Sequence, residues 1–350
     1  QEMATNNFNY FEIGNMQEYM FSSFITTFML YTLYTLQMDD NKFFKNLVMN
    51  SKNESKTMIF PNTNMQSAEN SKGFSETMRQ SNNNLNSPNT DPKFWSWLAG
   101  MMDGDGYVQV MNMNGNLKTK TIEVKLHNRD IRILTRMLDK LHMGRMYRYK
   151  NHPYSKWIVS TTDEMTFILN KLNGLMRLKV ENFKKGCDCM NIKFQEADYN
   201  MSMYDPYFSG LIDTDGSIVF NYSGNRMECN LELKYNIYSS KTCLDNVIPN
   251  YQPSRLMRLH KQYSSMSFKF QTVKGMVFLY DYFMKNRLYS DFKFYRVTQM
   301  LRFIEIRDYQ KLPYSSEEFL IYSEWLLNWI QYKNPKWYKV PFMNKLRLKR

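Results

Sequence analysis

The sequence predicts an α+β fold: two pseudo-symmetric αββαββα repeats forming a saddle of two antiparallel sheets, with one helix of each repeat at the interface. Three observations predict it. Two helices open on Asp-Pro and close on Asp-x-Asp-Gly, one in each half of the region past residue 90. Alternating apolar and polar segments follow each of them at matched spacings. Between the strands of the first copy lies a segment of helical period. An internal repeat of this kind marks duplicated structural units.

The first copy opens at Asp91-Pro92 and runs to Asp103-Gly104-Asp105-Gly106; the second opens at Asp205-Pro206 and runs to Asp213-Thr214-Asp215-Gly216. Asp is expected as the N-cap and Pro at the first helical position. The closing glycine is expected to take the backbone out of the helix. The stretch from opening Asp to central Gly is longer in the first copy (Asp91 to Gly100) than in the second (Asp205 to Gly210), so the first helix should start about one turn earlier. Ala99, Gly100, Ser209 and Gly210 are small enough to let the two helices cross closely, which would bring Asp105 and Asp215 together below the crossing.

Residues 122–127 (IEVKLH) match 231–236 (LELKYN), with the period-2 pattern of a half-exposed antiparallel strand. Residues 131–141 follow with Ile131, Leu134, Leu138 and Leu141 on one helical face. Residues 145–150 match 255–260 at nearly the same offset, and Trp157/Val159 and Phe268/Phe270 mark a further strand in each copy. Each repeat therefore reads helix–strand–strand–helix–strand–strand–helix. Past residue 310 the chain reads as helical: Ser315 to Glu318 form a capping box before Phe319, Leu320, Trp325, Leu326 and Trp329.

Four domains follow: 1–90, a hydrophobic segment plus an Asn/Ser-rich linker; 91–200 and 201–310, the repeats; and 311–350, a helical extension with a basic tail. Residues 19–38 are uncharged throughout and long enough to span a membrane, although six hydroxyl side chains weaken that reading against a packed helix.

Charge is distributed unevenly. The chain carries 46 Lys+Arg and 33 Asp+Glu, a net +13, while residues 1–90 hold six basic and eight acidic residues. Residues 91–350 therefore carry a net +15. A long basic track fits the phosphates of a nucleic acid. The strand cations Lys118, Lys120, Lys125, Arg145, Arg148, Lys150, Lys234, Arg255 and Arg258, with His127, are the expected contacts. Only 13 Gly and 10 Pro in 350 residues exclude collagen-like and Gly/Pro-rich disordered chains, and 4 Cys exclude a disulfide scaffold. The 4 His are scattered, which argues against a His-built metal centre. Abundant Met, Tyr and Phe fit an AT-rich coding sequence, of which organelle genomes are one source.

The two Asp-x-Asp-Gly tips are the one carboxylate constellation that recurs. Metal-assisted phosphodiester cleavage needs carboxylates that hold a divalent ion against the phosphate, and cutting two strands needs two such sites. A calcium EF-hand is excluded, because the glycine comes too soon after the first Asp and the twelfth position is Asn114 or Gly224. Asp103 and Asp213 read as turn caps; Asp105 and Asp215 read as ligands.

LAGMMDGDG at 98–106 and FSGLIDTDG at 208–216 resemble the paired motifs of the LAGLIDADG homing endonucleases and group I intron maturases, over roughly residues 91–310. The resemblance implies a monomer with motif helices at the interface and sheets astride a duplex. It implies Asp105 and Asp215 as metal ligands, with Mg²⁺ as cofactor where cleavage is active. It implies catalytic lysines, best matched by Lys179 and Lys293, which follow their motif aspartates at similar separations. Met101, Met102, Gly104, Phe208 and Ser209 depart from the common motif, and none removes a ligand. The chain as a whole looks most like fungal mitochondrial intron-encoded proteins, notably cytochrome b intron maturases, whose reading frames continue an upstream exon; a start at Gln1 rather than Met fits that pattern. The implied function is binding of a group I intron RNA to assist its splicing. The alternative is cutting of duplex DNA at the intronless allele; the two can coexist. Mitochondrial matrix is the implied location, with inner-membrane association if 19–38 spans a bilayer.

If the strand lysines contact phosphate, Lys125→Ala and Lys234→Ala should each weaken nucleic-acid binding and reduce its log–log salt slope by about one. Filter binding from low to moderate salt measures this; an unchanged slope places the nucleic acid elsewhere.

Overall fold

In the computed structural model, residues 91–113, 115–259 and 263–346 are described. The membrane-span and linker expectations for 1–90 and the last four residues, 347–350, of the basic tail 345–350 lie outside them. Among the described residues, no helix is long and apolar enough to cross a membrane.

The first half runs α1 (Pro92–Asp105), β1 (Gly106–Met113), β2 (Asn116–His127), α2 (Ile131–Leu141), β3 (Arg145–Arg148), β4 (Tyr154–Val159), α3 (Thr162–Leu172) and α4 (Val180–Cys189). The second runs α5 (Pro206–Thr214), β5 (Gly216–Asn221), β6 (Arg226–Lys234), β7 (Ser254–Leu259), β8 (Ser264–Phe270), α6 (Gly275–Lys285), α7 (Asp291–Thr298) and α8 (Met300–Ile306), followed by α9 (Glu317–Gln331). Each half has one four-stranded antiparallel sheet, ordered β1-β2-β4-β3 and β5-β6-β8-β7. The α+β two-repeat architecture is the expected one.

Both halves close on more than the one expected helix, α3 and α4 in the first and α6 to α8 in the second, and the second half also lacks an expected element. Between β6 and β7, where the repeat predicts a helix matching α2, residues 239–241 form a single 3-10 turn. Asn and Pro punctuate this stretch at Asn236, Asn246, Pro249, Asn250 and Pro253, and the Asn236 carboxamide accepts from the Tyr238 and Ser239 amides, closing a turn where a helix would begin. The apolar positions are still filled, because Leu244, Val247, Ile248 and Tyr251 are buried.

Both motif helices start as expected. Asp91 accepts from the Lys93 amide and Asp205 from the Tyr207 amide, each with Pro next. Such a cap contributes about 1 kcal/mol. The closing glycines take the backbone out of the helix as expected, through an extended residue. Gly106 is extended (φ −83°), not left-handed. A Cβ there would lie 2.5 Å from Met102 Cα, and one on Gly216 would lie 2.6 Å from Ile212 Cα. Glycine is needed because the new strand folds back against the helix it leaves. At α9 the cap is Ser316, one position later than the capping-box reading, with its hydroxyl accepting from the Phe319 amide.

The halves join where α1 crosses α5. A Cβ on Gly100 would sit 2.1 Å from Tyr207 O, and a Cβ on Gly210 would sit 2.1 Å from Trp97 O. Trp97, Gly100, Met101 and Gly104 face Tyr207, Gly210, Leu211 and Thr214 across this crossing. That is i, i+3, i+4, i+7 on each helix, one face. Ala99 and Ser209 were expected at this interface. Both are buried, but helical geometry turns them to the opposite side, toward the core of their own halves. Two backbones in contact leave no flexible neighbour to give way. Gly100→Ala or Gly210→Ala should therefore cost about 3 kcal/mol, the upper end for overpacking, seen as a lower urea midpoint; an unchanged midpoint would mean a wider crossing.

Candidate functional site

Four aspartates end the two motif helices, and they divide into two environments. Asp103 accepts from the Arg177 amide (2.6 Å), the Lys179 amide (2.8 Å) and Tyr207 OH (2.6 Å). Asp213 accepts from the Ser290 amide (2.9 Å), the Tyr289 amide (3.0 Å) and Trp97 Nε1 (3.0 Å). Each carboxylate thus ties its own half's later helix segment to an aromatic donor on the other half's motif helix. Burial pushes Asp213 up to about 6 against the pull of its donors; Asp103 is raised by the same cause. The expected turn-capping role is not what the structure shows: among the described residues every donor to this pair comes from a distant segment, because burial at the crossing puts those amides and aromatic groups nearer than the turn's own.

Asp105 and Asp215 reach solvent, and among the described residues neither carboxylate makes a hydrogen bond or ion pair with protein. Both are held above the usual carboxylate range, first because surrounding protein displaces water. For Asp105 the charge of Asp215 adds to this, and the residues just before them, Gly104 and Thr214, pack together across the crossing. The charges of Lys179 and Lys293 pull both back down.

Those two lysines are committed to the helix ends. Lys179 Nζ donates to Gly104 O and, at 2.7 Å, to Gly106 O. Lys293 Nζ donates to Ile212 O (2.7 Å), Asp213 O (2.9 Å) and Thr214 O (3.0 Å). A cation on the last carbonyls of a helix satisfies orphan acceptors and complements the dipole. Burial lowers the pKa of each.

The strand cations are placed less uniformly than the sequence pattern implied. Gly106 pairs with Val124 and Gly216 with Leu231, so Leu231 takes the place of Val124 and not, as the pattern match had it, of Ile122. The reason is a longer first hairpin, with a bulge at Gln109/Val110 that leaves Lys120 without a partner in β1. Lys125 therefore corresponds to Glu232, and His127 to Lys234. On the outer strands the slip changes faces. Arg145 pairs with Ile158, whereas Arg255 pairs with Phe268, whose counterpart is Trp157. A one-position shift reverses every side chain.

Two expected contacts leave the open face, Arg255 through this slip and Arg148 because it stands three positions from Arg145 on one strand. Arg255 lies on the helix-packed side, 5.7 Å over the Phe268 ring and 2.9 Å from Asp245. Arg148 pairs with Ser155, on the packed side of an edge strand, and is exposed there. Lys118, Lys125, His127, Arg145, Lys234 and Arg258 share the open faces, with Arg258 held by Glu232 at 2.9 Å. Lys120, at the bulge, and Lys150, beyond the end of β3, are exposed.

Sequence reasoning missed Trp97 and Tyr207 as the donors to the buried aspartates. Their signal was present: each is an aromatic residue at the same place in its own motif, the same distance before Asp103 or Asp213. It also missed Arg177. This buried guanidinium sits 4.3 Å over the Tyr207 ring and 3.3 Å from Asp205, the cap of α5. No local pattern marks it.

A duplicated αββ unit with two helices crossed on glycine and two free carboxylates at their ends defines the class: two-repeat α+β proteins with an acidic centre between basic sheets. Residues 98–190 match a family model described as LAGLIDADG endonuclease, which bears out the resemblance drawn from the two motifs. The chain is 28% identical over 134 residues to the intron-encoded RNA maturase bI4 of Saccharomyces cerevisiae, covering 38% of this chain and 20% of that protein. It is 24% identical over 195 residues to the intron-encoded DNA endonuclease aI3 of the same yeast, covering 47% of each. It is 28% identical over 151 residues to the intron-encoded DNA endonuclease ai2b of Dictyostelium discoideum, covering 40% and 52%. The chain spans about half or less of the length of these curated relatives. Among solved structures, the LAGLIDADG meganuclease I-AabMI bound to uncleaved DNA aligns with a TM-score of 0.44 at 14% identity, covering 63% of this chain and 92% of that one.

Because folding raises the pKa of Asp105 and Asp215, their ionisation opposes the folded state: stability is greatest below the ordinary carboxylate pKa and falls as pH rises through the raised values. Asp105→Asn should therefore raise the urea midpoint at pH 7. That gain should shrink as pH drops and the wild-type carboxylate takes up its proton. A lower midpoint at pH 7 would assign Asp105 a structural bond.

Proposed function

We propose that this chain binds nucleic acid across the open faces of its sheets and that Asp105 and Asp215 form a divalent-metal centre for phosphodiester hydrolysis in duplex DNA. One observation carries this: the tip carboxylates stay unbonded to protein, whereas Asp103 and Asp213, two positions away, each accept three hydrogen bonds. Keeping two like charges close together without partners costs stability, and an intended cation is the physical reason to do so.

The residues fit Mg²⁺. Among the described residues there is no cluster of three or more His, Cys, Asp or Glu. Mg²⁺ suits such a site, because it keeps several waters and takes one or two carboxylates plus phosphate oxygens. When bound, the ion would polarise the scissile phosphate and acidify an attacking water. Asp105 and Asp215 would hold it. Lys179 and Lys293 act as positioning residues, fixing the helix ends and favouring the ionised carboxylates. One chain supplies both motif helices, so the proposed active unit is a monomer with 91–200 and 201–310 as repeats and 311–350 as an extension.

A second activity, assistance to group I intron splicing, is favoured by the similarity to a relative named as an RNA maturase. The names of the relatives, with the Met-, Tyr- and Phe-rich composition, support an intron-encoded origin and a mitochondrial location.

The test uses the full chain, duplex DNA spanning the intronless junction of the host gene, and the host intron RNA. With Mg²⁺, the wild type should cut both strands, and Asp105→Asn or Asp215→Asn should abolish cutting with affinity within about two-fold. Intact DNA from folded protein would sink the cleavage reading. Faster splicing of the RNA by both wild type and variants would then leave the maturase activity alone.

A further inference from the structure

The two sheets, equivalent in topology, present different chemistry on their open faces. On the first, strand register aligns Tyr107, Glu123, Ile158 and Arg145 in one row; Lys125, Lys156 and Tyr147 in the next; and His127 and Tyr154 in a third. Tyr107 is 48% exposed, Tyr147 49% and Tyr154 39%. Lys125 Nζ lies 5.0 Å over the Tyr154 ring and 5.1 Å over Tyr149. Tyr147 and Tyr149 meet edge to face at 5.1 Å, as do His127 and Tyr154 at 5.6 Å.

On the second sheet the same register positions carry other residues. Ser217 stands for Tyr107, Glu232 for Lys125, Ser267 for Lys156, Ser265 for Tyr154 and Leu256 for Tyr147. Arg226 and Arg258 are paired there with Glu228 and Glu232, each at 2.9 Å.

Exposed tyrosine rings interleaved with cations offer π-faces and phosphate contacts together. A duplex hides its base faces by stacking them on one another and presents only edges in its grooves. Rings on a sheet find a partner only in bases that are unstacked, and a four-stranded sheet with surface aromatics can stack two or three of them. We propose that the open face of the first sheet, through Tyr107, Tyr147 and Tyr154 with Lys125 between the rings, is a stacking platform for unpaired nucleotides; the equivalent positions of the second sheet, Ser217, Leu256 and Ser265, carry no ring. This rests on the nucleic-acid-binding reading and adds to the duplex a second ligand of that face, single-stranded segments such as the loops of a folded RNA.

Three short probes of equal length test it on the full chain by fluorescence anisotropy: oligouridylate, oligodeoxythymidylate and mixed-sequence duplex DNA. Replacing Tyr107, Tyr147 and Tyr154 together by Leu keeps strand-compatible apolar residues, and circular dichroism checks the fold. This variant should bind the single strands at least about ten-fold more weakly, since each lost stack is worth about 5- to 150-fold. Duplex affinity should fall by a clearly smaller factor, since the rings find no exposed base face in a duplex. The triple Phe variant should retain single-strand binding, and Leu256→Ala on the second sheet should change nothing. Stronger binding of oligouridylate than of oligodeoxythymidylate assigns the platform to RNA; equal binding assigns it to any unpaired strand. Unchanged single-strand binding in the Leu variant, or an equal loss on the duplex, overturns the platform alone. Wild-type protein that binds none of the three probes overturns the nucleic-acid reading and the platform with it.

Discussion

The close crossing of α1 and α5 at Gly100 and Gly210 is the constraint on which the rest depends. With 2.1 Å between a would-be Cβ and the opposing carbonyl, the two helices touch through backbone, and their separation is fixed by atoms that cannot change rotamer. The two sheets are continuations of these helices, β1 beginning at Gly106 and β5 at Gly216. Their spacing is inherited from the crossing. So is the proximity of Asp105 and Asp215, which no side-chain bond maintains. A scaffold of this kind can hold two like charges close, because the repulsion acts against packed backbone rather than against mobile side chains.

Four buried or half-buried ionic residues then hold the helix ends in place. Asp103 and Asp213 each accept two backbone amides of their own half and one aromatic donor of the other; Lys179 and Lys293 cover the final carbonyls of the helices. Each of these four charges is met by hydrogen bonds, which is the condition for retaining it. Electrostatics couple this frame to the tip carboxylates, since both lysine charges draw the raised pKa values of Asp105 and Asp215 back toward ionisation. Structural and chemical roles are thus divided between aspartates two positions apart on the same helix.

Duplication gave the halves a common frame and left their surfaces free to diverge. In the first half Asn182 holds both the amide and the carbonyl of Val108, whereas in the second Arg296 reaches the carbonyl of Ile218 at 2.6 Å, its guanidinium lying 4.1 Å and 4.3 Å over the Phe292 and Trp329 rings. Trp329 belongs to α9, so the extension packs against the second half through a residue the first half does not have. The open faces differ in the same way: where the first sheet carries Tyr107, Tyr147 and Tyr154, the second carries Ser217, Leu256 and Ser265. A pseudo-symmetric core with unlike faces suits an asymmetric partner.

The Asp-Pro openings, the glycine pair, the alternation of the strands and the two Asp-x-Asp-Gly tips were all legible in the sequence, because each is a local rule: a cap, a missing Cβ, a period of two. Their recurrence in a second copy extended those rules to the architecture. What local rules could not fix was register. The first hairpin is longer and bulged, and the outer strands are shifted by one position between halves, so Arg255 lies on the packed side although Arg145, its match in the pattern, faces outward; Arg148, three positions past Arg145, is turned inward by the alternation itself. Nor could spacing show that Lys179 and Lys293 spend their hydrogen bonds on helix carbonyls, or that Trp97 and Tyr207 reach the aspartate of the opposite helix. The sequence by itself determined the elements and the carboxylates; the tertiary structure alone decided which face each cation occupies and which aspartates remain free. A strand's partner and a buried group's donors come from segments far apart along the chain, and hydrogen-bond geometry between such segments exists only once the helices have crossed.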